Sequence, residues 1–514
     1  MISKIETAQP ARYDRPADDQ AAADAIPIVV DDTYHLFHLS TPSNTIHHPP
    51  RLRSCWSHLR SHDLVNWTRD NEPALKPGKS SSSPSADGAW TGSAVVGLDS
   101  KLHVFSTGYN ISQGGKQVIL HSVASNRHGD DLETSDKPIT IKSATTGSSL
   151  FDDIDFRDPY VFFNEEDSKY WMLVATRLVE GPYWTRGCVA LLTSPDLCEW
   201  LIEPEPLYAP NDMFCPECPE MFTLPNGKWY LVYSRFAAPD SGTVYRVADS
   251  PRGPFRTPRS GSGGRLDGRR WYAAKSCPKI DDPTKRIYFG WIGDFNASDR
   301  KWLWGGSMAA PREVFADSKG DLHVVPVGAV MESKYSKPVH FAPDLNLRLS
   351  KQGSTAHRFL DMPAQYGEIG YAFQFGIKAV DARSFGFLFR SDEDLCGHRL
   401  RFEVLGNDVY NVSLLTDIAP LDDFWADQYK LYINREVDGP EIVRHDRVTI
   451  KEQITVLRNG NQLEVFLGGR SISCRLIPNV ASATSKRSRV HELGYFVEDG
   501  DIVLSDICLR AQQE

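Results

Sequence analysis

DDTYHLFHL at residues 31–39 is a turn followed by an aromatic-rich apolar strand, and the same arrangement returns four more times. The copies are DSKLHVFST from Asp99, DSKYWMLVA from Asp167, PNGKWYLVYS from Pro225 and DDPTKRIYFGW from Asp281. Aligned positions Tyr34, Leu102, Tyr170, Trp229 and Ile287 recur every 58 to 68 residues. Asp, Ser, Pro and Gly supply the turn, and β-branched or aromatic residues supply the strand, which is the local chemistry of a hairpin. Five such units predict five radially repeated antiparallel sheets, a propeller that leaves only short, protected edges. On spacing alone the alternative is an all-β sandwich whose strands look alike.

The repeats stop near Pro326, and a stretch of mixed polarity leads through Pro343 to evenly alternating segments. YGEIGYAFQFGIKA, SFGFLFRS, RLRFEVLG, VYNVSLL, YKLYINRE, ITVLRNGNQLEVFLGG and IVLSDICLR read as strands of a jelly-roll-like β-sandwich, with Asn459-Gly460 as a hairpin turn. The expected organisation is therefore all-β: a five-bladed β-propeller at 1–330, a linker at 331–343 and a C-terminal β-sandwich at 344–514.

Composition narrows the function. Across 514 residues, 41% are hydrophobic and 11% aromatic, enough for two packed cores with flat side chains left to line a cavity. A net charge of −10 without a concentrated basic patch argues against a nucleic-acid partner, which needs cations to neutralise phosphates. No apolar run approaches the roughly 20 residues of a membrane-spanning helix. The opening MISKIETAQPARYDRPADDQ has no apolar signal core, so a cytoplasmic location is expected. Sequons at Asn66, Asn110, Asn296 and Asn411 leave secretion as the alternative. Nine cysteines cannot all pair within one chain, and reduced thiols are the simpler expectation. Cys215-Pro-Glu-Cys218 has CxxC spacing, but no second pair accompanies it, so neither a metal nor an organic cofactor is expected. Oligomeric state is not legible.

In a propeller the first strand of each blade lines the central channel, so acids on those strands converge at its mouth. Asp24 in AAADAIPIVV, Asp158 in FDDIDFRDPYVFF and Glu217 in FCPECPEMF each stand on a short apolar strand just ahead of a hairpin, in blades one, three and four. Pro27, Pro159 and Pro219 follow within three residues, which suits a strand arriving from a loop. Taken singly, an Asp before a strand is most often a turn residue, and RDP is equally readable as a buried ion pair. Taken together, carboxylates on equivalent strands supply what glycosidic-bond cleavage needs: one ionised group to attack and one protonated group to release the leaving oxygen.

At these residues the chain resembles glycoside hydrolase family 32, the invertase, inulinase and fructosyltransferase family. Phe156-Arg157-Asp158-Pro159 resembles its RDP motif and Glu217-Cys218-Pro219 its EC motif. Trp56-Ser57-His58, with Ser61-His62-Asp63-Leu64-Val65-Asn66-Trp67, resembles its WGHA and following stretch. Ala89-Trp90-Thr91-Gly92-Ser93-Ala94-Val95 resembles FSGSAV, and Trp271-Tyr272-Ala273-Ala274-Lys275-Ser276 resembles its FYA-S/A-K motif. Phe289-Gly290-Trp291-Ile292-Gly293-Asp294 and Pro311-Arg312-Glu313 are similar to its GWI-G-E strand and PRE motif. The resemblance implies a retaining β-fructofuranosidase with Asp24 as nucleophile, Glu217 as general acid/base and Asp158 as transition-state stabiliser, and Arg157 as the charge partner of Asp158. It also places Arg157, Trp56, Trp90, Ser93, Tyr272 and Trp304 against a fructose-containing oligosaccharide or polysaccharide.

The first motif departs from the family's WMNDPNG. Here it reads Ala22-Ala23-Asp24-Ala25-Ile26-Pro27, and Leu39 stands where the family's YHLFYQ strand ends in Gln. Against the family's pattern, these departures remove two expected sugar hydrogen bonds. Two other functions compete with hydrolysis: fructosyl transfer on the same scaffold, with a sugar replacing water as acceptor, and non-catalytic carbohydrate binding. An arabinan-degrading propeller of family 43 is a more distant enzyme alternative. It gives no reason for the EC, YAAKS and PRE segments to occur together.

Overall fold

Each predicted turn-and-strand unit is a hairpin in the computed structural model, which describes residues 9–45, 53–143, 149–236, 241–259, 263–298, 300–339, 348–362, 365–417, 422–423, 441–477 and 489–513. The second strands run Thr33–Ser40, Leu102–Tyr109, Lys169–Leu178, Trp229–Arg235 and Asp282–Asn296. Turn residues Asp31, Ser100, Ser168 and Gly227 take positive φ ahead of four of them, as tight hairpins require. The first strands are Ala22–Val30, Gly88–Val96, Phe151–Asn164, Glu217–Thr223 and Trp271–Lys279. These are the five blades of a β-propeller.

Strand Lys169–Leu178 shows why both faces of a blade are apolar. Tyr170, Met172 and Val174 pack with Phe105 and Ile119 of blade two, while Trp171 and Leu173 pack with Met221 and Leu231 of blade four. Alternation at period two sends successive side chains to opposite neighbours. Each fully buried aromatic or aliphatic side chain contributes about 1.5–3 kcal/mol. Aligned tyrosines also join the blades: the Tyr170 hydroxyl accepts the Leu98 N–H at 3.0 Å, and the Tyr34 hydroxyl accepts the Ile280 N–H at 3.0 Å. The second contact, with the Gly306–Ala22 strand pairing, closes blade five onto blade one.

The residues divide into two compact units. One comprises Met1–Pro258, Tyr272–Trp291 and Trp304–Asp321; the other comprises Arg259–Trp271, Ile292–Leu303 and Leu322–Glu514. Residues expected to be a linker include helix Gly328–Lys334 and the pair Lys337–Pro338, which pairs with Arg510 and Ala511.

The second unit is a β-sandwich whose core is dominated by phenylalanines, with Phe385 stacked on Phe402 at 4.9 Å and Phe375 tilted against Phe387 at 4.4 Å. Two segments expected as separate strands, YAFQFGIKA and SFGFLFRS, belong to one strand, Tyr371–Ser391, which pairs along most of its length with His491–Ala511. The polar residues between the two aromatic runs sit at its more exposed middle, beside two register shifts. Residues 366–369, read as the start of a strand, belong to the helical turn Gln365–Ile369. The hairpin turn lies one position later than expected: Asn459 pairs with Gln462 and Gly460-Asn461 makes the turn. Gly460 supplies its positive φ of 54°. The YKLYINRE segment lies outside the described residues.

Several buried histidines are held neutral in both units. Burial lowers His38 to about 3 and His58 and His121 to about 4, and in the sandwich His398 to about 3 and His445 to about 4. An unfolded chain takes up these protons near pH 6.5, whereas the folded chain does so only near pH 3 to 4, so unfolding is favoured as pH falls through that window. The histidine contribution is complete above pH 6.5. Thermal unfolding followed by circular dichroism is therefore expected to show stability falling by several kcal/mol between about pH 6.5 and 5. A flat profile across that range would contradict neutral burial of these rings.

Candidate active site

A register shift occurs at one equivalent position on the first strand of four blades: between Ala23 and Ala25, Trp90 and Gly92, Arg157 and Tyr160, and Glu217 and Glu220. In blade five the corresponding residue, Ala273, has φ of 47°. A bulge bends a strand and re-aims the side chain at the bend. Asp24, Thr91, Asp158, Cys218 and Ala273 occupy these bends. Three of them hold positive φ without being glycine, with Asp158 at 57° and Cys218 at 51°, a conformation that costs about 1–3 kcal/mol and persists only where surroundings enforce it. The enforcement is visible in hydroxyls on the second strands. Thr107 Oγ1 accepts the Asp158 N–H at 2.8 Å, and Ser234 Oγ accepts the Ala273 N–H at 3.0 Å.

Three sequence-selected acids meet at this ring. Trp291 Nε1 donates to Asp24 Oδ1 at 2.8 Å, and the Thr91 hydroxyl donates to Oδ2. The Cys218 N–H donates to Asp158 Oδ2 at 3.0 Å. Cys218 Sγ lies 3.8 Å from both Asp24 Oδ2 and Asp158 Oδ2, so one thiol joins the two carboxylates. Burial pushes that thiol well above its usual range, and neighbouring Asp24 and Asp158 add to the effect, so sulfur stays protonated and acts as a weak donor. The preceding residue, Glu217, receives Arg157 at 2.9 Å on Oε1 and the Tyr272 hydroxyl at 2.6 Å on Oε2. Asp158 and Glu217 are nearly inaccessible, whereas Asp24 is half-buried.

Arg157 keeps its expected ion pair with Asp158 but makes shorter contacts with two other carboxylates. Its closest acidic contacts are Asp155 at 2.8 Å and Glu217 at 2.9 Å, whereas Asp158 stands 3.7 Å from Nε. Burial alone would raise Asp155, but Arg157 and Arg177 outweigh it and hold this carboxyl below its usual range. Tyr272 stands edge-on to Trp291 at 5.8 Å, and Trp304 lies 6.2 Å from Trp291, so an aromatic wall carries two of the acid contacts. Trp90 stacks on Tyr109 at 4.1 Å. Trp56 is fully buried and donates Nε1 to the Trp90 carbonyl at 3.0 Å, which leaves no ring face for a sugar. Ser93 accepts the Val161 N–H at 2.9 Å and ties blade two to blade three. Leu39 is buried, as its apolar side chain requires.

Thr91, Trp291 and Cys218 are not among the residues selected from the sequence, although each lies inside a segment already singled out. Cys215 and Cys218 do not share a ligand site: Cys215 Sγ points to the Thr176 carbonyl at 3.9 Å. Among the described residues no group of three or more His, Cys, Asp or Glu is placed to hold a metal ion.

Glu220, three residues beyond Glu217, serves the framework. It accepts the Ser276 N–H at 2.6 Å and the Ser276 hydroxyl, and lies 3.4 Å from Arg286. Burial raises its carboxyl, opposed by Arg286. Glu220→Ala strands Arg286 in the interior and is expected to lower stability by about 3–5 kcal/mol in urea unfolding. Unchanged stability with lost turnover would move Glu220 into the catalytic set.

Residues 25–326 match the model of the glycosyl hydrolases family 32 N-terminal domain. The chain belongs to that family. The matched span opens immediately after Asp24, so the place of Asp24 rests on the contacts described above. Among curated proteins, a fructan 6-exohydrolase of Beta vulgaris is 27% identical over 323 residues, covering 57% of this chain and 50% of the relative. A levanase of a Bacillus strain is 26% identical over 314 residues, covering 55% and 30%. The chain thus aligns with about half or less of the length of these relatives. Among solved structures, fructan 1-exohydrolase IIa from Cichorium intybus has a TM-score of 0.69 at 18% identity, covering 98% of this chain and 97% of that one. Exo-inulinase from Aspergillus awamori has a TM-score of 0.69 at 17% identity, covering 98% and 99%. These structures share the family fold of a five-bladed propeller and a β-sandwich.

Proposed function

We propose that this member of family 32 cleaves β-fructofuranosidic linkages with retention, through a covalent fructosyl-enzyme intermediate. The observation that carries the reading is the joining of Asp24 and Asp158 through Cys218, with Glu217 adjacent in the chain. Asp24, half-buried and fed by neutral donors, attacks the anomeric carbon as the glycosidic bond breaks. Glu217 delivers its proton to the leaving oxygen, then takes one from the water that releases fructose. Asp158, fixed by the Cys218 N–H, accepts fructosyl hydroxyls as positive charge develops. Tyr272 and Arg157 orient Glu217 between these steps. Such a retaining pair works at a carboxyl separation of roughly 5 to 5.5 Å. The names of the relatives, a fructan exohydrolase and a levanase, support fructosides as the substrate class.

The test is product analysis from sucrose, inulin and levan. Free fructose, absent with Asp24→Asn, is the expected result. Fructosylated acceptors dominating at high sucrose would assign transfer instead, and binding without any product would reduce the protein to a carbohydrate-binding propeller.

A further inference from the structure

The loop between strands Lys169–Leu178 and Gly187–Ser194 of blade three carries two exposed aromatic rings, Tyr183 at 53% and Trp184 at 40% exposure. Large rings left in water lose the burial that normally stabilises them, so a held exposed pair calls for an explanation. These rings are held. Tyr183 and Trp184 meet edge to face at 5.0 Å, and both pack on buried Phe214 at 5.5 and 5.4 Å. The Arg177 guanidinium lies 4.3 Å from the Tyr183 ring centre and 4.0 Å from that of Phe214, and donates to the Tyr183 carbonyl at 2.6 Å. The loop closes on itself through the Leu178 N–H to Arg186 carbonyl bond at 2.8 Å. Neither the Tyr183 hydroxyl nor the Trp184 N–H has a partner among the described residues.

This loop connects directly to the candidate site. Arg177 reaches Asp155 at 3.3 Å, Asp155 reaches Arg157 at 2.8 Å, and Arg157 reaches Glu217 at 2.9 Å. Glu217 is the residue assigned above to the leaving oxygen. On that assignment, groups leading outward from Glu217 are taken to flank the leaving-group side of the scissile bond. Two guanidinium groups and a carboxylate intervene between Glu217 and Tyr183. Flat exposed rings match the C–H faces of sugars, and their free O–H and N–H groups match sugar hydroxyls.

We propose that Tyr183 and Trp184 form a binding platform for sugar residues beyond the first on the leaving-group side, making oligofructosides the favoured substrates over sucrose. This rests on the fructosidase reading above. A disaccharide stops short of the platform, whereas a longer chain lies across it.

The test compares sucrose with fructo-oligosaccharides of three to six residues, using wild type, Tyr183→Ala, Trp184→Ala and the Phe variants. Each Ala change is expected to raise KM for the longer chains about tenfold, with sucrose parameters unchanged and with Phe restoring most of the loss. Equal losses on sucrose would assign the rings a structural role, and unchanged KM on every substrate would remove the platform. A change of oligomeric state in the Ala variants, with oligosaccharide KM unaffected, would assign the patch to self-association. If wild type releases no fructose at all, the fructosidase reading fails separately. Calorimetric binding of the intact oligosaccharides to wild type and Trp184→Ala then decides the platform on its own, with tenfold weaker binding expected in the variant and equal affinities rejecting it.

Discussion

Asp24→Asn is expected to lower turnover by about four to six orders of magnitude on both natural fructosides and activated aryl fructosides, the scale of loss when a covalent nucleophile is removed. The amide keeps the size of the side chain and can still engage Trp291 and Thr91, which contact the two Asp24 oxygens. Folding should therefore change little. No leaving group, however good, replaces the bond that Asp24 forms with the anomeric carbon. Steady-state rates on sucrose and on an aryl fructoside, with circular dichroism as the folding control, check the prediction. Retention of more than a hundredth of wild-type activity would move the nucleophile elsewhere on the ring.

Glu217→Gln should give a different pattern. Loss of general acid catalysis is worth about 10²–10⁴-fold, and it is felt where the leaving group needs a proton. Sucrose turnover should fall by that amount, while an activated aryl fructoside retains a substantial share of its fructosyl-transfer rate. Glutamine still accepts from Arg157 or Tyr272, whose contacts with Glu217 are 2.9 and 2.6 Å, so the pocket keeps its shape. Equal losses on both substrates would separate Glu217 from proton transfer. The pair of variants thus distinguishes attack from protonation.

The parts of this molecule legible in its sequence are those specified locally. The five hairpins announce themselves because a turn of two or three polar residues is followed at once by a buried strand, and the repeat spacing orders the blades. Asp24, Asp158 and Glu217 are legible through the same periodicity. Sequence position says far less about partners. Arg157 adjoins Asp158 in the chain yet engages Glu217 from the next blade, because a bulged strand aims neighbouring side chains differently. Trp56 and Ser93 lie in matched motifs but pack and tie blades together, since a motif preserves a local shape as readily as a ligand contact. In the sandwich, the long Tyr371–Ser391 strand continues through a polar middle that carries the signature of a loop. Only its pairing with His491–Ala511 identifies that stretch as strand.

The bend on the first inner strand holds Asp24 at the ring in the presence of an altered first motif. In this architecture the direction of the Asp24 carboxylate is written in the backbone, by the extra residue between Ala23 and Ala25. Equivalent bends present Asp, Thr, Asp, Cys and Ala in the five blades, so the scaffold behaves as five interchangeable sockets with a common aim. Chemistry can be re-specified one socket at a time without redesigning the ring. Ala273, whose methyl group is the smallest side chain among the five, marks the socket where a larger polar residue could be installed to reach the same space.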